Sequence, residues 1–296
     1  MIGVDVGGTK ILSGVVDRDG NVLGRNRVDS PGTSEQDVLE ALDAAVESLL
    51  DDRIGGIGFG IPSNLDRRSG RILRATNLPL DDFDLRGHAR ARFGLPVGVE
   101  NDANAAALAE WKLGAGKGLE NLVMFTLGTG VGGGIVLDDR LYRGWAELGH
   151  IVVQVGGPPC QGSCHGRGHL EALVSGSAAD RVAAELWGPG ASSHTLLERA
   201  HAGVEDALAQ LDEMAERFGA GIASLVNIFD PEVVIVGGGF GEAAADLLLA
   251  PAQEAARRQS LAPADRTLRV VSAALGMDAG LVGAGLVGFE ALDGAW

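Results

Sequence analysis

The sequence predicts an α/β protein of two duplicated domains facing a cleft. Three observations carry this. Short apolar strands alternate with amphipathic helices along most of the chain. Strands end in glycine turns at Gly7-Gly8, Gly128-Thr129-Gly130 and Gly237-Gly238-Gly239. The second half also restarts the first, because GGTKILSGVVDRDG and GTGVGGGIVLDDR both read as a Gly-Thr turn, a strand and an acidic turn. A chain of 296 residues is long enough to give each half its own core.

The elements follow in order. Ile2–Val6 is a short apolar strand running into Gly7-Gly8-Thr9-Lys10, and 11–16 is a second strand. Asp17-Arg18-Asp19-Gly20 is a hairpin turn into 21–28. A helix follows over 35–50, with Val38, Leu42, Val46 and Leu49 on one face and Thr33 or Ser34 as N-cap. Residues 54–59 and 97–100 read as buried strands, and Asn101-Asp102 opens an Ala-rich helix ending near Leu113. Ala115-Gly116-Lys117-Gly118 reads as the connection between domains. The expected division is a smaller domain over 1–114 and a larger one over 115–296, with a last helix (about 280–296) able to pack back on the first. In the second half, strands are expected at 122–127, 131–137, 140–142, 233–236 and 268–271. Long helices are expected over 170–186 and 204–228, another after Gly239, and a last one from Asp278.

Composition excludes some partners. The net charge of −16 argues against nucleic acid and anionic membrane, which demand a basic face. No apolar run approaches the ~20 residues of a membrane span. Phosphate remains admissible, since clustered backbone N–H groups bind anions even in an acidic protein. No apolar signal segment precedes Ile2, so a cytoplasmic protein with reduced thiols is expected.

The densest chemistry lies between Gly144 and Gly176. Cys160 and Cys164, the only cysteines in the chain, stand with His150 and His169 on a Gly/Pro-rich loop flanked by Glu147 and Glu171. Four soft or borderline ligands so close in sequence can close a tetrahedral zinc site. The loop has almost no apolar residues, so a metal supplies what burial does not. Incidental cysteines and a disulfide are the alternatives, and His165 competes with His169 as the fourth ligand.

The glycine turns carry the next signal. DVGGTK lacks P-loop spacing, and a strand rather than a helix follows it, so it is not a dinucleotide fingerprint. A glycine hairpin at a strand's C-terminal end exposes successive N–H groups as an anion nest. Two such hairpins suit a triphosphate tail, and the third turn suits the nucleoside. Asp102, among small neighbours at a helix start, is either an N-cap or a general base for a hydroxyl nucleophile.

These motifs together resemble the ROK family (repressors, open reading frames, kinases), which shares a superfamily with actin and heat-shock chaperones. DVGGTK at 5–10, ENDANAAALAE at 100–110, LGTGVGGGIV at 127–136, RGWAELGHI at 143–151 and HLEALVSG at 169–176 carry the resemblance over nearly the whole chain. It implies two ribonuclease H-like (actin-like ATPase) domains and an ATP- and Mg²⁺-dependent hexose kinase, usually a homodimer and sometimes a homotetramer, with structural Zn²⁺. It places Asn77, Asn101, Asp102, Glu147, His150 and Glu171 around the sugar, with Asp102 as base. Asp5, Gly7, Gly8, Thr9, Lys10, Thr129, Gly130, Gly237, Gly238 and Gly239 fall to nucleotide and Mg²⁺. His150 is then shared between zinc and sugar. The implied reaction is phosphorylation of glucose at O6. Mannose, fructose or N-acetylmannosamine as acceptor and polyphosphate as donor stay open. A non-catalytic sugar-responsive regulator is the remote alternative, since family repressors carry an N-terminal helix-turn-helix for which no room precedes the first strand. Two departures stand out: the usual C-x-C-G-x-x-G-C reads Cys160-Gln-Gly-Ser-Cys164-His-Gly-Arg-Gly-His169, and the usual G-I-P-G ends in Ser63.

Overall fold

The computed structural model describes every residue except Thr33, Arg67, Asn77, Ala295 and Trp296. Its contacts divide the chain into two compact units, 1–117 with 278–296, and 118–277.

The first unit is built on β1 (Ile2–Val6), β2 (Lys10–Val16), β3 (Val22–Asp29), α1 (Glu35–Glu47), β4 (Ile57–Ile61), a small hairpin β5 (Ser63–Asp66) and β6 (Arg71–Ala75), α2 (Leu85–Phe93), β7 (Val97–Asn101) and α3 (Asp102–Leu113). The main sheet runs β3-β2-β1-β4-β7, antiparallel across β1–β3 and parallel from β1 to β7. Central β4 is apolar and buried throughout, and β1 is too except for half-buried Asp5, whereas edge strand β3 alternates half-buried and exposed residues. Ser34 caps α1 by accepting the Asp37 N–H at 3.1 Å, and Thr33, the other cap candidate, lies outside the described residues. Val38, Leu42 and Val46 of α1 then join Ile2, Val4 and Phe59 in one core.

The second unit contains β8 (Leu122–Leu127), β9 (Val131–Leu137), β10 (Arg140–Leu141), α4 (Glu171–Val174), α5 (Gly176–Trp187), α6 (Ser193–His201), α7 (Glu205–Phe229), β11 (Val233–Gly237), α8 (Gly239–Ala243), α9 (Ala245–Gln259), α10 (Ala264–Thr267) and β12 (Val270–Ser272). Its sheet order, β10-β9-β8-β11-β12, repeats the first sheet strand for strand, with the same antiparallel and parallel pairings. The duplication legible in the glycine hairpins therefore extends to whole sheets. The core centres on Phe125 and Phe218, whose rings meet edge to face at 5.1 Å.

The final helix, α11 (Ala279–Leu292), returns to the first unit and lies against β1, β4 and β7. Glycines on both sides allow backbone to meet backbone. A Cβ on Gly58 would collide with the Ala284 carbonyl, one on Gly283 with the Ala105 carbonyl, and one on Gly3 would lie 2.7 Å from the Gly285 nitrogen. Side chains cannot yield there, because the obstructing atoms are main chain.

The structure corrects one expected element. The single helix over 170–186 is two, because Ser175 is extended (φ −74°, ψ 166°) between α4 and α5. Ser175 Oγ caps α5 by accepting the Ala178 N–H at 3.1 Å, and the Gly176 N–H donates to the Gly128 carbonyl at 2.7 Å. The β5–β6 hairpin, α2 and α6 are additional elements.

Gly58→Ala is expected to destabilise the protein by about 3 kcal/mol or more, as overpacking against a rigid backbone does. Gly32→Ala, where an added Cβ meets nothing within 4 Å, is expected to stay within about 0.5 kcal/mol. Chemical denaturation of the two variants checks the contrast.

Candidate functional site

Each unit presents one set of candidate groups. In the first, β7 delivers Asn101 to the start of α3. Asn101 Oδ1 accepts the N–H groups of Ala103 at 3.0 Å and Asn104 at 3.1 Å, so Asn101 is the N-cap. Asp102 is thereby released from capping. Asn101 is itself braced, since its Nδ2 donates to the Ser63 carbonyl at 3.3 Å and its N–H to Glu100 Oε1 at 3.1 Å. The same Glu100 oxygen accepts Asn104 Nδ2 at 3.2 Å, and both residues are buried. Burial pushes the Asp102 carboxyl above its ordinary pKa, partly offset by the N–H groups of Ala103 and Asp102 itself.

Asp5, on β1, has its pKa raised to about 7, first by burial and then by the negative charge of Asp102, with Lys10 pulling the other way. Gly280, at the start of α11, gives it room: an added Cβ there would lie 2.7 Å from Asp5 Oδ2. A buried carboxyl beside a second acid is a donor set that a dication would relieve. The adjoining turn is closed by the Gly7 N–H donating to the Lys10 carbonyl at 2.8 Å. Gly8 and Thr9, at its tip, are exposed. Asn77 lies outside the described residues.

In the second unit the four soft ligands converge. Among the described residues, His150, Cys160, Cys164 and His169 place one ligand atom each within 4.8 Å of one another. Tetrahedral zinc with Zn–N near 2.0 Å and Zn–S near 2.3 Å requires ligand edges of about 3.3 Å for N–N and about 3.6 Å for N–S. The observed edges are 3.2 Å between the two Nδ1 atoms, 3.7 Å from Cys160 Sγ to His150 Nδ1, and 3.5 Å from Cys164 Sγ to His169 Nδ1. The donor set fits the ion. His165 is exposed and outside the cluster, and neither cysteine is in a disulfide. Burial chiefly, with Cys164 and Glu171 nearby, pushes the Cys160 thiol up to about 12, a cost that a bound cation would remove. The loop buries little of its apolar surface: Ile151 and Val153 pack partly against the core, but Val155 is 96% exposed.

Local backbone explains the convergence. Gly149 sits in the one-turn 3₁₀ helix Leu148–His150, and a Cβ there would collide with the Val131 carbonyl on β9. That close approach fixes His150, and with Nδ1 toward the cluster its Nε2 remains available. Glu147 precedes the same turn without a side-chain capping bond and is exposed. Glu171, the first residue of α4, reaches back: its Oε2 accepts the Val131 N–H at 3.0 Å, beside the β8–β9 turn. Thr129 is exposed at that turn's tip, while the Gly128 N–H donates to the Gly130 carbonyl at 2.9 Å. Gly238, between β11 and α8, has φ +84° and abuts the Leu127 backbone, so only glycine fits. Gly237 and Gly239 flank it.

Two residues in this network were absent from the sequence reading. Gln161 Nε2 donates to the Glu171 carbonyl at 3.1 Å and to Ser175 Oγ at 2.6 Å. The lengthened first cysteine interval was the available signal for Gln161, and the S-G pair after α4 for Ser175.

The buried Asp5 gives a prediction. With a folded pKa near 7 against an unfolded 3.8, the fold favours the protonated acid. That stability is complete below about pH 4 and is lost as pH rises through 7. In metal- and nucleotide-free protein, Asp5→Asn is expected to match wild type near pH 3.5 and to exceed it by about 2–4 kcal/mol at pH 8. Thermal melts at the two pH values check it.

Three comparisons bear on these groups. The ROK family model matches residues 1–288. A glucokinase from Streptomyces coelicolor is 38% identical over 96% of this chain and 95% of its own. A ROK family glucokinase from Streptomyces griseus, crystallised with glucose and AMPPNP, superposes with a TM-score of 0.86 at 36% identity, covering 98% of this chain and 99% of that one. A ROK hexokinase from Thermus thermophilus gives 0.84 at 38% identity, covering 99% of both chains.

Proposed function

The chain belongs to the ROK family, and on that premise we propose that it is an ATP-dependent hexose kinase that phosphorylates glucose at O6. The observation that carries the proposal is the release of Asp102 from capping: Asn101 does that work, leaving an enclosed carboxylate with a raised pKa at the start of α3. The glucose and AMPPNP bound by the Streptomyces griseus enzyme, over nearly the full length of both chains, support the substrates.

In this reading Asp102 accepts the proton of the sugar 6-hydroxyl as O6 bonds to the γ-phosphorus and the bond to the β,γ-bridging oxygen breaks, releasing ADP. Phosphoryl transfer is mostly positioning and charge neutralisation. The exposed tips at Gly8-Thr9 and Thr129-Gly130 offer backbone N–H groups to phosphate oxygens, with Lys10 beside the first. The Gly237-Gly238-Gly239 turn serves the nucleotide. Asp5 would hold Mg²⁺ or its water, and the ion would neutralise phosphate charge. Asn77, Asn101, Glu147, His150 Nε2 and Glu171 take the sugar hydroxyls. His150, Cys160, Cys164 and His169 would hold a structural Zn²⁺, which fixes a loop that has no core of its own. A cytoplasmic homodimer belongs to the same proposal, supported by the family resemblance.

A coupled ADP-release assay over glucose, mannose, fructose and N-acetylmannosamine, with ATP and polyphosphate as donors, tests the reaction. Turnover is expected with Mg-ATP and glucose above the other pairs, and no turnover with any pair would overturn the proposal. Elemental analysis tests the metal. One zinc per chain is expected in wild type and in His165→Ala, and less than about a tenth of that in Cys160→Ser or His169→Ala. Zinc-free wild type would refute the centre.

A further inference from the structure

The lengthened interval between Cys160 and Cys164 has a structural consequence in Gln161. Its side-chain amide donates twice, to the Glu171 carbonyl and to Ser175 Oγ. The acceptors are the first residue of the one-turn helix α4 and the residue at the break between α4 and α5, where Ser175 is fully buried and extended. The next residue, Gly176, donates its N–H to the Gly128 carbonyl at 2.7 Å, and a Cβ on Gly176 would lie 2.9 Å from that same oxygen. From the start of α4, Glu171 Oε2 accepts the Val131 N–H at 3.0 Å. The short segment 171–176 therefore holds the β8–β9 turn at both ends, Gly128 on one side and Val131 on the other.

Gln161 gives the segment a direct side-chain anchor to the cysteine loop, alongside the backbone bond from the Ala172 N–H to the His169 carbonyl at 3.1 Å. Cys160 Sγ stands 3.7 Å from Glu171 Oε1, a weak contact for sulfur, whereas the Gln161–Ser175 bond is short. Gln161 also anchors the loop internally, because its carbonyl accepts the Cys164 N–H at 3.2 Å. One residue thus joins the ligand loop to the support of a glycine turn.

We propose that Gln161 is a positioning residue that transmits the order of the metal loop to the Gly128-Thr129-Gly130 turn, and so sets nucleotide affinity rather than sugar affinity. This rests on the kinase reading for its kinetic consequence, but not for its structural one. The metal loop then serves two functions: through His150 and Glu171 it fixes groups assigned to the sugar, and through Gln161 it fixes a turn assigned to phosphate.

The test uses the full-length, zinc-loaded protein. Gln161→Met keeps length and removes both donors, and His165→Ala is the control on the same loop. Two readouts are needed: amide hydrogen exchange of segments covering 122–137 and 171–180, and KM for ATP and for glucose with kcat. In Gln161→Met, exchange at Gly128, Val131 and Gly176 is expected to quicken about tenfold and KM for ATP to rise about five- to tenfold. KM for glucose is expected to stay within twofold and zinc at one per chain. His165→Ala is expected to change none of these. Stripping zinc from wild type with a chelator is expected to raise exchange at the same three amides. Unchanged exchange at the turn in Gln161→Met overturns the proposal, as does a rise in glucose KM equal to that for ATP. Should Gln161→Met fail to fold, Gln161→Asn, which is too short to span both acceptors, carries the same two readouts. If wild type shows no kinase activity, the proposed reaction fails by itself, and exchange at the turn still decides whether Gln161 positions it.

Discussion

The constraint on which the first unit depends is the approach of α11 to the sheet, backbone against backbone. Gly3 and Gly58 on the strands and Gly283, Gly285 and Gly288 on the helix leave out the Cβ at the points of closest approach, while Leu281, Ala284 and Val287 pack around them. What this achieves is placement. Gly283 brings α11 against the Ala105 backbone of α3, and Gly280 leaves space beside the Asp5 carboxylate. The helix that carries Asp102 and the strand that carries Asp5 are therefore located by one close-packed element drawn from the far end of the chain. The desolvation of the two half-buried acids follows from that packing, and with the nearby charge of Asp102 it raises the pKa of Asp5. The fold holds an acid where water would be more comfortable for it, which is common where charge has work to do.

The second unit meets the opposite problem. Its loop between His150 and His169 packs only Ile151 and Val153 against the core and leaves Val152 and Val155 exposed, so hydrophobic burial gives it little order. Order comes from a few specific contacts: the Gly149 approach to β9, the four converging ligands, and the Gln161 amide on the α4–α5 break. The substitution of His169 for the usual cysteine keeps the donor count and the edge lengths of a tetrahedral site while removing one negative charge. The interval that seems irregular in sequence is the one that brings Gln161 to Ser175.

Much of this was legible in the sequence, for physical reasons. Strands such as Ile2–Val6 and Leu122–Leu127 are apolar but for Asp5 and Thr126 because both faces are covered, and glycine turns punctuate them at their ends. The four ligands were legible because cysteine occurs nowhere else. Helix α2 escaped notice because it has little apolar stripe: only Leu85, Arg86 and Ala89 are buried, and Gly87 interrupts it. Helix α6 is nine residues long, too short for its periodicity to stand out. The break at Ser175 was hidden because an apolar pattern continues across it, while its cause, the hydrogen bond to Gly128, is a contact between segments far apart in sequence. The choice between Asn101 and Asp102 as N-cap depends on backbone angles, which residue types alone do not specify.

That choice carries the functional account, and one variant separates its two outcomes. Asp102→Asn keeps the volume and leaves the Asn101 cap intact, so its melting temperature and its glucose Kd should remain close to wild type. Loss of a general base lowers kcat by ~10²–10⁴-fold, and single-turnover kinetics with Mg-ATP and saturating glucose should show a fall of that size. A variant that retains near-native kcat would contradict the account and leave Asp102 as an ordinary residue at a helix start.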